Sequence, residues 1–303
     1  MAISTGFAIS AKDVLLFTLA LIALAYLAVL GAALRSQRAR PTAPGTATGF
    51  VTNFFDTLGI GSFAPTTSII RQWRITSDEL IPGTLNVGHT LPTVVQAFIF
   101  TRIVPVDSRT LILMIAAAIV GAWLGAGVVA RLPRRWVQIG MGCCLVGAAT
   151  IMLLSMAQLV PAGGTALALD GGRLALAVAG NFLLGALMTL GIGLYAPCMI
   201  MISLLGMSPT TAFPIMMGSC AFLMPVASVR FVRARCFDAR LSLGLALGGI
   251  PAVLLAAFVV KALPLGAVRV LVVIVVVYTA VNLLRAAARA PLRTDDASPV
   301  VAT

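Results

Sequence analysis

Four stretches of this chain run for about 20 residues with almost no charged side chain, and they constrain the fold more than any other feature. They cover residues 14–34, 110–130, 241–260 and 266–284. A helix of that length crosses the ~30 Å hydrocarbon core of a bilayer. Charged residues make up only 10% of the chain, against roughly a quarter in soluble domains. The sequence therefore predicts an all-α polytopic membrane protein with the lipid bilayer as its surroundings.

The formal net charge of +12 comes almost entirely from arginines at the ends of these apolar stretches. A nucleic-acid-binding protein would instead cluster its basic residues, with aromatics between them, on a soluble face. We therefore exclude nucleic acid as a partner and interpret the arginines as an orientation signal. The first stretch is followed by "RSQRAR" at residues 35–40, which predicts an uncleaved span. Its amino end would lie outside a bacterial-type inner membrane, and the carboxyl end of the chain would be cytoplasmic.

Nearly the same ten residues occur twice, as "TLGIGSFAPT" at 57–66 and "TLGIGLYAPC" at 189–198. The match continues at nearly the same offset: Pro82 pairs with Pro214, and R-x4-D-x-R recurs at 102–109 and 233–240. We interpret the two halves as copies of one unit. The predicted organisation is a membrane helix with a basic cytoplasmic loop (1–48), repeat 1 (49–156), a connector (157–173), repeat 2 (174–285) and a disordered tail (286–303).

Each repeat opens with a segment that contains Gly-x-Gly and, four residues later, a proline that interrupts helical hydrogen bonding. Two topologies compete. If all nine apolar segments span, 13 basic residues lie inside and 8 outside; if the two Gly/Pro segments re-enter, seven spans remain and the division is 15 to 6. The positive-inside rule favours the second topology. Three spans per repeat would invert the copies, so that both Gly-x-Gly turns meet near the bilayer midplane.

A helix that restarts at such a turn offers unpaired N–H groups at its positive end, and glycine lets an anion approach them. Ordinary kinks with small residues for helix packing are the alternative. Hydroxyl, thiol and amide groups nearby would add to the site. The predicted substrate-binding residues are Gly59, Gly61, Ser62, Thr66, Thr67, Asn86, Gly191, Gly193, Cys198 and Ser219.

Asp56 and His89 are ionisable residues placed well inside apolar segments. Such residues are costly in a membrane and usually face a cavity or a partner. They are the candidates for proton coupling, although His89 could equally be a hydrogen-bonded structural residue. No catalytic triad, metal-ligand spacing or phosphate-binding loop appears, and the five cysteines have no metal spacing. We therefore predict no enzyme activity, no cofactor and no metal.

The paired motifs resemble those of the sulfite exporter TauE/SafE family of membrane transporters, over about residues 49–285. The matching residues of the first copy are Gly49, Phe50, Gly59, Gly61, Pro65, Arg102, Asp107, Leu132 and Pro133. Those of the second copy are Phe182, Gly191, Gly193, Pro197, Arg233, Asp238, Leu263 and Pro264. The resemblance implies export of sulfite or an organosulfonate, usually linked to protons. Many members continue with further glycines where this chain has Ser62–Phe63 and Leu194–Tyr195.

The leading hypothesis is thus a secondary transporter of a small anion, with protons as the coupling ion and alternating access between the two repeats. A passive anion channel and, less favoured, a membrane-embedded enzyme using Cys198 or His89 are the alternatives. The hypothesis predicts that Gly59→Leu or Gly191→Leu abolishes transport while the protein still inserts. The exact substrate, the transport direction, the coupling ion, the oligomeric state (monomer or homo-oligomer) and the choice between spanning and re-entrant Gly/Pro segments stay open.

Overall fold

The computed structural model describes residues 10–129, 134–157, 159, 164–188, 193–262 and 264–289. Within these residues the chain forms eleven α-helices and two short 3₁₀ turns, Asp78–Leu80 and Pro209–Thr211. The α-helices, in chain order, are α1 Ala11–Ser36, α2 Ala43–Thr57, α3 Phe63–Gln72, α4 Ile81–Ile103, α5 Ser108–Val129, α6 Arg134–Met156, α7 Gly171–Met188, α8 Tyr195–Leu204, α9 Ala212–Ala234, α10 Ala239–Ala262 and α11 Leu265–Arg289.

Four of the described helical segments are long and apolar enough to cross a membrane. They are Ala11–Ser36, Gly171–Met188, Pro209–Ala234 and Ala239–Val260. Large apolar side chains also point outward, among them Phe17, Trp123 and Phe258, each more than 60% exposed. Extensive exposed apolar surface is typical of a protein that faces lipid. These findings confirm the predicted all-α membrane protein, whereas the kind of membrane and the orientation of the termini stay predictions.

The Gly/Pro segment of the first half is not one helix but a helical hairpin. Gly59 and Gly61 have φ of +98° and +86°, a left-handed backbone that glycine adopts without strain. Gly45 at the start of α2 lies beside Leu241, and Ile70 near the end of α3 belongs to the same buried cluster as Leu241. The start of α2 and the end of α3 are therefore close together, which shows that the chain reverses at the turn. We call α2, α3 and the turn between them hairpin 1.

In the second half, α7 and α8 also lie side by side, with the start of α7 close to the end of α8. Arg173 in the first turn of α7 lies beside Gly206, just past the end of α8. Further along, Gly180 of α7 packs against Met201 of α8. We call α7 and α8 hairpin 2; the turn residues 189–192 lie outside the described residues.

The two hairpins enter the helix bundle from opposite ends of α4. This helix has 23 residues and is about 34 Å long at 1.5 Å per residue. The open end of hairpin 1 lies at the start of α4, where Ile70 packs with Ile81 and Leu85. The open end of hairpin 2 lies beyond the other end of α4. There, the Asp107 N–H donates to the carbonyl of Leu167 at 2.9 Å, three residues before Asp170.

Helices of one half pack along helices of the other. α2 lies against α10 and α7 against α5, α4 packs on α9, and α6 packs on α11. Glycines allow the close main-chain approaches, with Gly49 against Leu245 and Gly185 against Ala118. When the halves are aligned by sequence, α2 corresponds to α7 and α10 to α5. Each of the two hairpins is therefore supported by the same counterpart helix of the opposite half.

Several element bounds differ from the segment bounds expected from sequence. α2 begins at Ala43, before the expected start of repeat 1 at 49, and α7 begins at Gly171 inside the expected connector. A capping bond explains the first difference: the Thr42 hydroxyl accepts from the Gly45 N–H at 3.3 Å and starts α2 early. α11 extends to Arg289, and the rest of the expected tail lies outside the described residues.

Candidate functional site

A cavity of about 60 Å³ lies between the inner ends of the two hairpins. Thr93, close to the middle of α4, lines it, so the cavity lies about halfway between the two ends of the bundle. Hairpin 1 contributes Asp56 and residues 60–63, and hairpin 2 contributes Met188 and residues 193–196. The remaining lining residues are Cys220 and Met224 of α9 and Thr279 of α11.

Two helix N-termini border this cavity. α3 begins after Ser62 and α8 after Leu194, and neither helix has a side-chain hydrogen bond that caps its first turn. Pro65 and Pro197 occupy equivalent places in the two first turns. The positive ends of two helices therefore face one small volume, an arrangement that favours negative charge.

A buried hydrogen-bond chain joins the inner ends of the hairpins. The Gln96 amide nitrogen donates to Asp56 Oδ2 at 2.8 Å and to Thr57 Oγ1 at 2.9 Å. On its other side, Gln96 Oε1 accepts from the Tyr195 hydroxyl at 3.0 Å. Ser62 lines the same cavity as Asp56 and is itself buried. Gln96 is fully buried, so this chain is a fixed link between hairpin 1, α4 and hairpin 2.

His89 is fully buried and its ring nitrogens are both engaged away from the cavity lining. Nδ1 lies 3.1 Å from Asn53 Oδ1, and Nε2 lies 3.0 Å from the Thr66 hydroxyl oxygen. The Asn53 amide nitrogen donates to the Gly49 carbonyl at 2.7 Å, so Oδ1 is the atom that faces the histidine. A neutral ring with its proton on Nδ1 satisfies both contacts. This geometry favours the structural role of the two that the sequence left open.

The predicted binding residues divide between the cavity and its supports. Gly61, Ser62 and Gly193 line the cavity, as does the proton-coupling candidate Asp56. Gly191 lies outside the described residues.

The other predicted residues of the hairpins lie behind the lining. Gly59 packs against Met199, and Thr66 bonds to His89 as described above. The Thr67 hydroxyl donates to the Phe63 carbonyl of its own helix at 2.8 Å. Cys198 is fully buried one turn into α8.

The two residues predicted on the following helices are engaged elsewhere. The Asn86 amide donates to the Pro82 carbonyl at 2.9 Å within the first turns of α4, near the open end of hairpin 1. The Ser219 hydroxyl donates to the Ile215 carbonyl at 2.8 Å and accepts from the Asn181 amide at 3.1 Å. Neither residue lines the cavity. Each side chain instead donates a hydrogen bond to a carbonyl group of its own helix.

Sequence reasoning missed Gln96 and Tyr195. Gln96 is an uncharged amide inside an otherwise apolar segment, so the rule that selected Asp56 and His89 would have found it if extended to amides. Tyr195 stands within the second Gly/Pro motif itself, at the position of Phe63 in the first. A buried tyrosine hydroxyl usually has a hydrogen-bond partner, so replacement of phenylalanine by tyrosine at this position was a signal of a polar contact.

Among the described residues, the cavity lining contains no lysine, arginine or histidine. Its ionisable side chains are Asp56, Tyr195 and Cys220. The described part of the chain also holds no group of three His, Cys, Asp or Glu side chains suited to a metal ion. An anion in this cavity would have to rely on N–H and hydroxyl groups rather than on a cationic side chain.

In comparisons with known proteins, no family model, no curated protein and no solved structure matches this chain. The resemblance to the TauE/SafE family therefore stays a prediction based on the paired motifs.

Proposed function

We propose that this protein is a secondary membrane transporter of a small anion, with the cavity between the two hairpins as its substrate site. The observation that carries the proposal is the convergence of two uncapped helix N-termini on one cavity about halfway along α4. Irregular backbone at the centre of a membrane protein is tolerated where protein or a water-filled cavity covers it. Substrate sites of inverted-repeat transporters are built at such broken helices.

The proposed architecture is two inverted copies of one unit, each opening with a re-entrant hairpin. Each hairpin packs on a helix of the opposite half, α2 on α10 and α7 on α5, which supports this architecture. The entry of the hairpins from opposite ends of α4 supports it as well. The spans would then be α1, α4, α5, α6, α9, α10 and α11. We assign the open end of hairpin 1 to the cytoplasm, where Arg71 and Arg74 follow the positive-inside rule.

Ion pairs at the proposed outer end support the same orientation. At the proposed outer end, Arg102 lies 3.9 Å from Asp13 and Arg109 lies 4.0 Å from Asp170. These exposed pairs contribute little stability, but they offset the positive charge on that side. The substrate class, sulfite or an organosulfonate, is proposed from the family resemblance, and the direction of net transport follows the gradients that drive it.

Topology is tested with single cysteines at the open ends of the two hairpins, in an otherwise cysteine-free protein. We expect Gln72→Cys to react with a membrane-impermeant thiol reagent only from the cytoplasm and Gly172→Cys only from outside. Both positions are exposed, so accessibility in the folded protein is not the limit. Labelling of both cysteines from one side would contradict the inverted arrangement.

Function is tested by flux into proteoliposomes of sulfite, thiosulfate, sulfoacetate and taurine, with and without a pH gradient. We expect anion uptake driven by the gradient and its loss in Gly59→Leu, because Gly59 requires a positive φ and a side chain there would meet Met199. Gly31→Leu is the matched control, since nothing lies within 4 Å of its Cβ position. Anion flux that ignores the gradient would indicate the passive channel, and no flux would refute transport of these anions.

A further inference from the structure

The two hairpins contribute side chains of unequal charge to the cavity although their sequence motif is the same. Asp56 lines the cavity at the end of α2, and Met188 lines it at the corresponding position of α7, 132 residues later. Ser62, the residue that precedes α3, lines the same cavity as Asp56. Hairpin 1 therefore contributes a carboxyl group to the cavity lining, whereas hairpin 2 contributes a thioether at the matching position.

An ionised Asp56 and a bound anion would share about 60 Å³. Like charges in so small a volume repel, and the described lining holds no cationic side chain to offset them. The other titratable groups that face or flank Asp56 are Tyr195 on α8, Cys220 on α9 and His89 on α4. Tyr195 is engaged with Gln96 and His89 with Asn53, so neither supplies a counter-charge.

We propose that Asp56 is a built-in competitor of the transported anion: its carboxylate holds the α3 side of the cavity, and an anion binds only together with a proton on Asp56. The proton comes from water on the entry side, adds to a carboxylate oxygen and returns to water on the exit side. Neutralising Asp56 weakens the hydrogen bond that it accepts from Gln96 and removes its repulsion of an anion, so that Ser62 in the same lining can donate to the substrate. This inference rests on the proposed anion transport and adds to it the residue that enforces coupling.

Gln96 is the positioning residue of this device. Its amide holds the carboxylate of hairpin 1, and its carbonyl oxygen holds Tyr195 of hairpin 2. Loss of the charge on Asp56 therefore also loosens the link between the hairpins. Proton binding, anion entry and the connection between the two halves are thus joined at one carboxylate.

The decisive measurement counts protons taken up for each anion bound. Thiosulfate is the probe because its charge does not change near neutral pH, and calorimetry in buffers of different ionisation enthalpy gives the count in detergent. At mildly alkaline pH we expect about one proton per anion, and an affinity that falls about tenfold for each further unit of pH. In Asp56→Asn the count should be zero and the affinity independent of pH. In proteoliposomes that variant should equilibrate thiosulfate but not accumulate it along a pH gradient.

Two further variants make the result independent of how well Asp56→Asn folds. Asp56→Glu keeps the carboxylate and should keep the proton. Asp78→Asn removes an exposed carboxylate paired with Arg71 and should match the parent protein. Thiosulfate binding with no proton uptake in the parent protein, or the same uptake in Asp56→Asn, would overturn the inference while leaving anion transport intact. Absence of binding and flux for every anion in the parent protein would refute the proposed function itself.

Discussion

The inner ends of the two hairpins share a sequence motif but not a chemistry. In hairpin 1, Asp56 lines the cavity and Thr66 bonds to His89. At the corresponding positions of the second half stand Met188, Cys198 and Ala221. One half therefore carries a polar network behind its turn, and the other carries a sulfur-rich, apolar support.

This difference separates two tasks that a duplicated site could share. Anion attraction can come from both halves, because it depends on main-chain N–H groups at the starts of α3 and α8. Proton handling needs a titratable side chain, and the described lining has a carboxylate only at Asp56. The two halves therefore share the Gly-x-Gly and proline motif, while the side chains at matching positions differ.

The largest effects are expected where the halves behave alike, at the glycines that let hairpin arms approach the opposite half. Gly49 lies against the Leu245 main chain and Gly185 against the Ala118 main chain. Leucine at either position should cost at least about 3 kcal/mol, because backbone cannot move aside as a side chain can. The measurement is monodisperse yield and melting temperature in detergent, with Gly147→Leu on the open face of α6 as control. A tolerant Gly185→Leu beside an intolerant Gly49→Leu would show that the halves are not packed equivalently.

How much of this could be read from sequence depends on the kind of feature. The apolar stretches predicted a helical membrane protein because burial in lipid needs no partner. An interruption of the helix at this motif could be predicted, since a proline four residues after Gly-x-Gly removes a helical hydrogen bond. The reversal of α2 and α3 could only be favoured by counting arginines, because a kinked span and a hairpin have the same local pattern.

The side-chain part of the site was less accessible to sequence. Asp56 stood out as a charge in an apolar segment, but so did His89, and only three-dimensional partners separate them. His89 meets Asn53 and Thr66 from two other helices, and sequence spacing does not reveal such contacts. The Asn86 and Ser219 predictions relied on register alone, which does not show whether a polar group already bonds to its own helix.

A smaller effect should distinguish the polar support of hairpin 1 from a proton carrier. His89→Ala leaves buried Asn53 and Thr66 without their partner, which should cost about 1–3 kcal/mol for each group. Thermal unfolding in detergent measures the loss. His89→Gln can donate and accept, so it should recover part of the stability and keep proton-driven flux. Normal stability with loss of coupling in His89→Gln would reverse the roles assigned to His89 and Asp56.

The smallest effect is expected at Thr67, and it tests whether the site is confined to the turn. Its hydroxyl already donates to the Phe63 carbonyl within α3, and the residue is outside the cavity lining. Thr67→Val should therefore change stability by no more than about 0.5 kcal/mol and leave the KM for anion flux within about twofold. Ser62→Ala is the matched contrast, because the Ser62 side chain lies in the cavity lining beside Asp56. If both variants raise KM equally, anion contacts extend along α3 beyond its first turn, and the hairpins differ in reach as well as in charge.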